Sequence, residues 1–182
     1  MVAAGLLVAA SVAPKVYRNE EFGITLPVPR DVVLCVNPPT EHDDGALLLL
    51  GTTDANRCQE PNHDHERSID VFASYPTDDT SKLPDLLGLM CDAPCEQPPG
   101  VWQIAGLRTE AGETTYPDGS IDILVVTQAG KPNPAFDPTA PSINYTLTLH
   151  TGTKNLAEDL QVFRAVLQTI RLVPSQEEFS PK

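Results

Sequence analysis

The chain has 182 residues, 41% of them hydrophobic and 20% charged, enough for one packed domain and too apolar for intrinsic disorder. Its 25 acidic and 12 basic residues leave a net charge of −13, which repels phosphate backbones and anionic membrane faces and argues against nucleic-acid binding. The 18 prolines gather between apolar runs, a pattern that suggests strands joined by stiff, irregular loops.

Residues 1–14 carry no charge and read as an alanine-rich apolar run with small-residue cleavage sites at Val8-Ala9-Ala10 or Ser11-Val12-Ala13. This is the pattern of a secretory h-region, although no basic segment precedes it. The run is too short to span a hydrocarbon core of about 30 Å, so no transmembrane segment is expected. Residues 15–174 are read as a single domain and 175–182 as a polar tail.

Residues 21–26, Glu21-Phe22-Gly23-Ile24-Thr25-Leu26, read as a strand stopped by Pro27 and Pro29. Residues 32–36 and 46–50 are further apolar strands, separated by the turn chemistry of Pro38-Pro39 and Asp44-Gly45. Residues 68–75 alternate, with Ile69, Val71 and Ala73 on one face. A helix follows: Asp79-Thr80-Ser81 offers its cap, Pro84 fits its first turn, and Leu83, Leu86, Leu87 and Met90 recur at helical spacing. Residues 101–113 and 120–128 flank Tyr116-Pro117-Asp118-Gly119 and read as a β-hairpin, with Trp102 packed at its entrance.

Residues 130–142 hold four prolines and read as a surface loop. In residues 143–151, Ile143, Tyr145, Leu147 and Leu149 alternate with Asn144, Thr146, Thr148 and His150, so one buried and one more polar face are expected. Asn144-Tyr145-Thr146 has the form of a glycosylation sequon in mid-strand. Gly152-Thr153-Lys154 reads as the turn before a closing helix, capped by Asn155 with Glu158 in the capping-box position. Its apolar stripe is Leu156, Leu160, Phe163, Leu167 and Ile170.

An even count of four cysteines behind an export-like leader reads as two structural disulfides. Three pairings are possible, and local pairing favours Cys35 with Cys58 and Cys91 with Cys95. The second pair has three intervening residues, not the two of a redox Cys-x-x-Cys motif, and the paired short spacings of a zinc site are absent.

Three of the four histidines lie in two acidic clusters, Glu41-His42-Asp43-Asp44 and His63-Asp64-His65-Glu66. His63 and His65 are two apart, so an extended segment turns both imidazoles to one side. Together with His42 and Asp44 they form a candidate ligand set for a divalent ion such as Zn²⁺, pre-ordered by a Cys35–Cys58 bridge. The plainer reading of the same residues is a solvated polar loop, and no other cofactor is expected. No nucleophile elbow, phosphate-binding loop or dinucleotide fingerprint occurs, and His150 is a single histidine without an identifiable partner.

Strands with one helix in mid-chain and a long helix at the end imply an antiparallel sheet with helices packed on it, an α+β fold. The phrase Tyr17-Arg18-Asn19-Glu20-Glu21-Phe22-Gly23-Ile24-Thr25-Leu26-Pro27 resembles the opening motif of PsbP-like domains. Tyr145-Thr146-Leu147-Thr148-Leu149 and the helix from Phe163 to Arg171 resemble their closing strand and helix, whereas the middle of the chain departs from the pattern. The resemblance implies an α-β-α sandwich with a non-catalytic role in binding another protein. The expectation is therefore an exported, monomeric accessory protein of the cell envelope, periplasmic or extracellular. A metal-binding protein or metal-dependent hydrolase using the His/Asp clusters is the alternative.

Overall fold

The computed structural model describes residues 15–36, 45–59, 67–91, 95–130 and 139–172. Period-two segments pair into two antiparallel sheets. The larger holds β3 (Val33–Val36), β4 (Gly45–Leu49), β5 (Ser68–Ser74), β6 (Thr109–Thr115), β7 (Ser120–Ala129) and β8 (Ile143–Gly152), in the order β3-β4-β5-β8-β7-β6. The smaller holds β1 (Val16–Asn19), β2 (Ile24–Pro27) and β9 (Arg171–Leu172), in the order β1-β2-β9. Two helices, α1 (Leu83–Met90) and α2 (Leu156–Thr169), complete the described elements.

Strand β7 shows why the helices sit on opposite faces. Its odd-numbered residues Ile121, Ile123 and Val125 join the main core with Phe163, Val166 and Leu167 of α2. Its even-numbered Leu124 and Val126 form a second cluster with Leu86 of α1. Side chains alternate across a strand, so two apolar faces call for two covering layers. Tyr17, Phe22, Ile24 and Leu26 bring the small sheet into the α2-side core. The result is the α-β-α sandwich expected from the sequence, built on antiparallel strands.

The opening motif is a hairpin rather than one strand. Residues 20–23 are the turn between β1 and β2, with Asn19 opposite Ile24. The side-chain oxygen of buried Asn19 accepts the Phe22 N–H at 2.8 Å, and Gly23 takes φ +62°, where a side chain is disfavoured. The Phe22 carbonyl in turn accepts the Tyr145 hydroxyl at 2.6 Å, which ties the turn to the centre of the large sheet. The Tyr-x-Asn-x-x-Phe-Gly phrase is thus a turn device plus three buried anchors, Tyr17, Asn19 and Phe22.

Burial pushes the Tyr145 phenol well above its ordinary range, with Tyr75 adding to the effect. A raised folded-state pKa means the fold favours the neutral phenol. This stability is fully present below about pH 10 and is lost as pH rises from there toward the folded value. Tyr145→Phe should cost about 1–2 kcal/mol at pH 8, because it leaves the Phe22 carbonyl unpaired. Its stability should then fall less steeply than the wild type's between pH 9 and pH 11. Urea unfolding across that window checks both; parallel pH profiles for the two proteins would contradict the assignment.

Other boundaries shift for local reasons. Strand β6 begins at Thr109, not residue 101, because Ile104 and Leu107 bridge around a tight turn at Ala105 (φ +50°) and Gly106 (φ +78°). That turn sends Trp102 and Ile104 into the core, where Trp102 faces Phe163 at 6.1 Å between ring centroids and Arg164 stacks over the indole at 4.4 Å. The Asp78–Thr80 segment is a separate 3-10 turn, and α1 starts at Leu83 with proline in its first turn. Asn155 precedes α2 but has helical dihedrals (φ −108°, ψ −5°) and makes no side-chain cap bond, so the expected capping box does not form.

The first half of the polar face of β8 is also buried. Asn144 is 1% and Thr146 3% exposed, because β8 is flanked by β5 and β7 under the α1 layer. The Asn144 amide donates to the Thr80 carbonyl at 3.2 Å and accepts from Gln128 at 2.8 Å, so the sequon asparagine is a structural hydrogen-bonding group.

Candidate ligand pocket

Both local disulfides are closed, Cys35–Cys58 and Cys91–Cys95. The first ties β3, the edge strand, to a 3-10 turn at Ala55–Gln59. The second lies at the end of α1 against Gly112 of β6, where an added Cβ would come within 2.7 Å of the Cys95 sulfur. Gly112 is therefore the seat of that bridge.

The proposed metal ligands His42, Asp44, His63 and His65 lie outside the described residues. Among the described residues no group of three or more His, Cys, Asp or Glu is placed to hold a metal. Residue 60 follows Gln59, close to the Cys35–Cys58 bridge, but residue 66 leads into Arg67 at the Ser68 end of β5. Residues 37–44 connect Val36 to Gly45 at the other end, where Gly45 pairs with Phe72.

The described structure instead presents a concave site at the end of the large sheet. A cavity of about 310 Å³ opens between the β6–β7 turn, which supplies Asp118, Gly119 and Ser120, and residues 150–155, which lead from β8 into α2. Arg67, just ahead of β5, lines it as well. The volume lies at the lower end of small-ligand sites. Turn geometry shapes one wall: Gly119 takes φ +86°, and the Asp118 carboxylate accepts both the N–H of Ser120 at 2.9 Å and its hydroxyl at 2.6 Å. The N–H of Thr153 reaches the Gly119 carbonyl at 3.4 Å and links the two walls.

Two polar systems brace this site. Asp159 of α2 is fully buried and accepts from Arg67 Nε at 2.9 Å, from Arg67 Nη2, and from the Thr151 hydroxyl at 2.5 Å. The hydrogen bond to Asp159 holds the Arg67 guanidinium more firmly in its charged form. Glu158 lies 3.4 Å from the same guanidinium but is 73% exposed, so it adds little.

The second system crosses the strands. Asp122 and His150 are direct partners in the β7–β8 register, with Nδ1 of His150 2.5 Å from Asp122 Oδ1. Tyr116 donates to the other Asp122 oxygen at 3.0 Å. At the pocket edge His150 is thus held by a carboxylate whose other oxygen is held by a phenol.

Sequence reasoning singled out neither Arg67 nor Asp159. A signal was present for Asp159, which falls three residues after Leu156 and four before Phe163, on the stripe that faces the core. A charged residue on such a stripe implies a buried partner. Nothing local identifies that partner as Arg67, 92 residues away in the chain.

No family model and no curated protein sequence matches the chain. Solved structures do. LpqN of Mycobacterium tuberculosis, described as involved in cell envelope biogenesis, superposes with a TM-score of 0.50 at 12% identity, covering 91% of this chain and 88% of LpqN. The cyanobacterial PsbP, CyanoP, of Synechocystis sp. PCC 6803 superposes with a TM-score of 0.50 at 13% identity, covering 92% of this chain and 98% of CyanoP. At such identities the likeness speaks to architecture, and it matches the layers described above: the chain has a PsbP-like fold.

Proposed function

We propose that this chain is an exported accessory protein of the cell envelope that acts by binding rather than by catalysis, with the polar pocket as its recognition site. The observation that carries the reading is the pair of closed cystines on a PsbP-like fold, since disulfides persist in oxidising compartments outside the cytosol. The likeness to LpqN, a protein of envelope biogenesis, supports the envelope as the place. Among the described residues no helix is long and apolar enough to cross a membrane.

Fractionation of the native host, with thiol-reactive mass tagging before and after reduction, tests this reading. Both bridges should be intact and the protein should lie outside the cytoplasm. Recovery in the cytoplasm with free thiols at all four cysteines would overturn it.

A second reading, divalent-metal binding by His42, Asp44, His63 and His65, is favoured by one feature. The described residues that precede the two segments, Val36 and Gln59, are each next in the chain to a cysteine of the Cys35–Cys58 bridge. Stoichiometric metal in tag-free protein, lost in a His63→Ala/His65→Ala variant, is the expected result under that reading; metal-free protein that also fails to take up zinc excludes it.

A further inference from the structure

We infer that the pocket between the β6–β7 turn and residues 150–155 takes an oxyanion, a phosphate or carboxylate group of a small ligand. The inference rests on the reading of this cavity as the recognition site and specifies what it recognises. Its basis is the hydrogen-bonding state of the lining.

Two side chains that line the pocket are already engaged: Asp118 Oδ1 accepts both donors of Ser120, and His150 Nδ1 donates to Asp122. Unused donors remain on the same lining. Arg67 lines the cavity but commits Nε and Nη2 to Asp159 and Glu158, and its Nη1, which makes no hydrogen bond among the described residues, lies beside Gly51. Lys154 is exposed, lines the cavity, and has neither an ion pair nor a hydrogen bond among those residues. The Asn155 side chain forms no cap bond, so its amide is free to donate at the same wall.

The unengaged N–H groups of a lysine and an amide, beside a guanidinium on the same concavity, match the tetrahedral or planar oxygens of an oxyanion. A guanidinium and an ammonium here also stand out on a chain with a net charge of −13. The buried Asp159 leaves Arg67 in place while taking only part of its fork. The cavity, about 310 Å³, holds a phosphate monoester or a small dicarboxylate. Asp159, which pairs with Arg67, the exposed Glu158 and Asp118 are the opposing charges, and they favour a compact anion seated toward Lys154 over a highly charged one.

Isothermal titration of the oxidised protein with inorganic phosphate and with succinate tests the proposal. One saturable site is expected for at least one of them. Lys154→Met should weaken binding about tenfold or more, the loss of one charge-assisted hydrogen bond, without changing the melting temperature. Flotation with phosphatidylglycerol vesicles, against phosphatidylcholine controls, separates the sources of the anion. Co-flotation that Lys154→Met abolishes identifies a lipid headgroup; titration without flotation identifies a soluble anion. No saturable binding to any of the three probes overturns the proposal, as does equal binding by the variant. Such failure leaves the accessory reading intact if fractionation still finds an exported protein with both bridges closed. A cytoplasmic, reduced protein overturns that reading whatever the purified pocket binds.

Discussion

Arg67→Met is expected to lower stability by about 3 kcal/mol, because it strands a buried carboxylate. Asp159 has 1% side-chain exposure and accepts from two guanidinium nitrogens and the Thr151 hydroxyl. Without Arg67, one hydroxyl has to solvate the whole charge, and the low-dielectric surroundings make that costly. The pair joins β5 to α2 at the pocket, so the damage should include local opening there. Pairing Arg67→Met with Asp159→Leu should recover part of the loss, since a matched apolar pair replaces the stranded charge. Urea unfolding of the wild type, both single variants and the double variant gives the coupling directly. Strictly additive losses would show that the two groups do not depend on each other.

The second large effect is covalent. Replacing Cys35 and Cys58 by serine should cost about 3 kcal/mol, against about 2 kcal/mol for the Cys91/Cys95 pair, because the stabilisation grows with the length of the closed loop. Their sequence separations are 23 and 4. The longer bridge also fastens an edge strand, whose unpaired side is otherwise open to other chains. Its loss should therefore bring aggregation at high protein concentration as well as a lower urea midpoint. Midpoints for the two double variants, with light scattering, check both expectations. A larger loss for Cys91/Cys95 than for Cys35/Cys58 would show that native packing against Gly112, not loop closure, dominates.

Much of the architecture was legible because its signals are local. Period-two runs marked β5 and β8, and Tyr116-Pro117-Asp118-Gly119 placed the β6–β7 hairpin. The stripe through Phe163, Leu167 and Ile170 located α2 on the core, and chain proximity paired the cysteines. The errors were local too, but of a different kind. Residues 21–23 have strand-like neighbours, yet Asn19 and Gly23 make a turn whose demand is a backbone angle rather than a hydrophobic pattern. The same holds at Ala105 and Gly106, which cut the reading of residues 101–113 as continuous strand.

The candidate site was much less legible than the fold. Residues 42, 44, 63 and 65 drew attention because histidines and carboxylates stand together in the sequence. The described pocket draws on residues 67, 118–120 and 150–155, whose local signals are those of turns and a helix start and name no ligand. Asp122 meets His150 only because β7 and β8 pair in one register across the proline-rich residues 130–142, and no local rule fixes a register through such a connection.

By itself, then, the sequence indicated an antiparallel sheet with helices packed on it, favoured the local cystine pairing and fixed the net negative charge, since periodicity, short separations and composition are properties of contiguous residues. Tertiary structure alone decided that Arg67 answers Asp159, that Asp122 answers His150, and that Arg67, Lys154 and Asn155 line one cavity. Those relations depend on strand register and on where α2 docks. Both are settled by core packing summed over the whole chain rather than by any one segment.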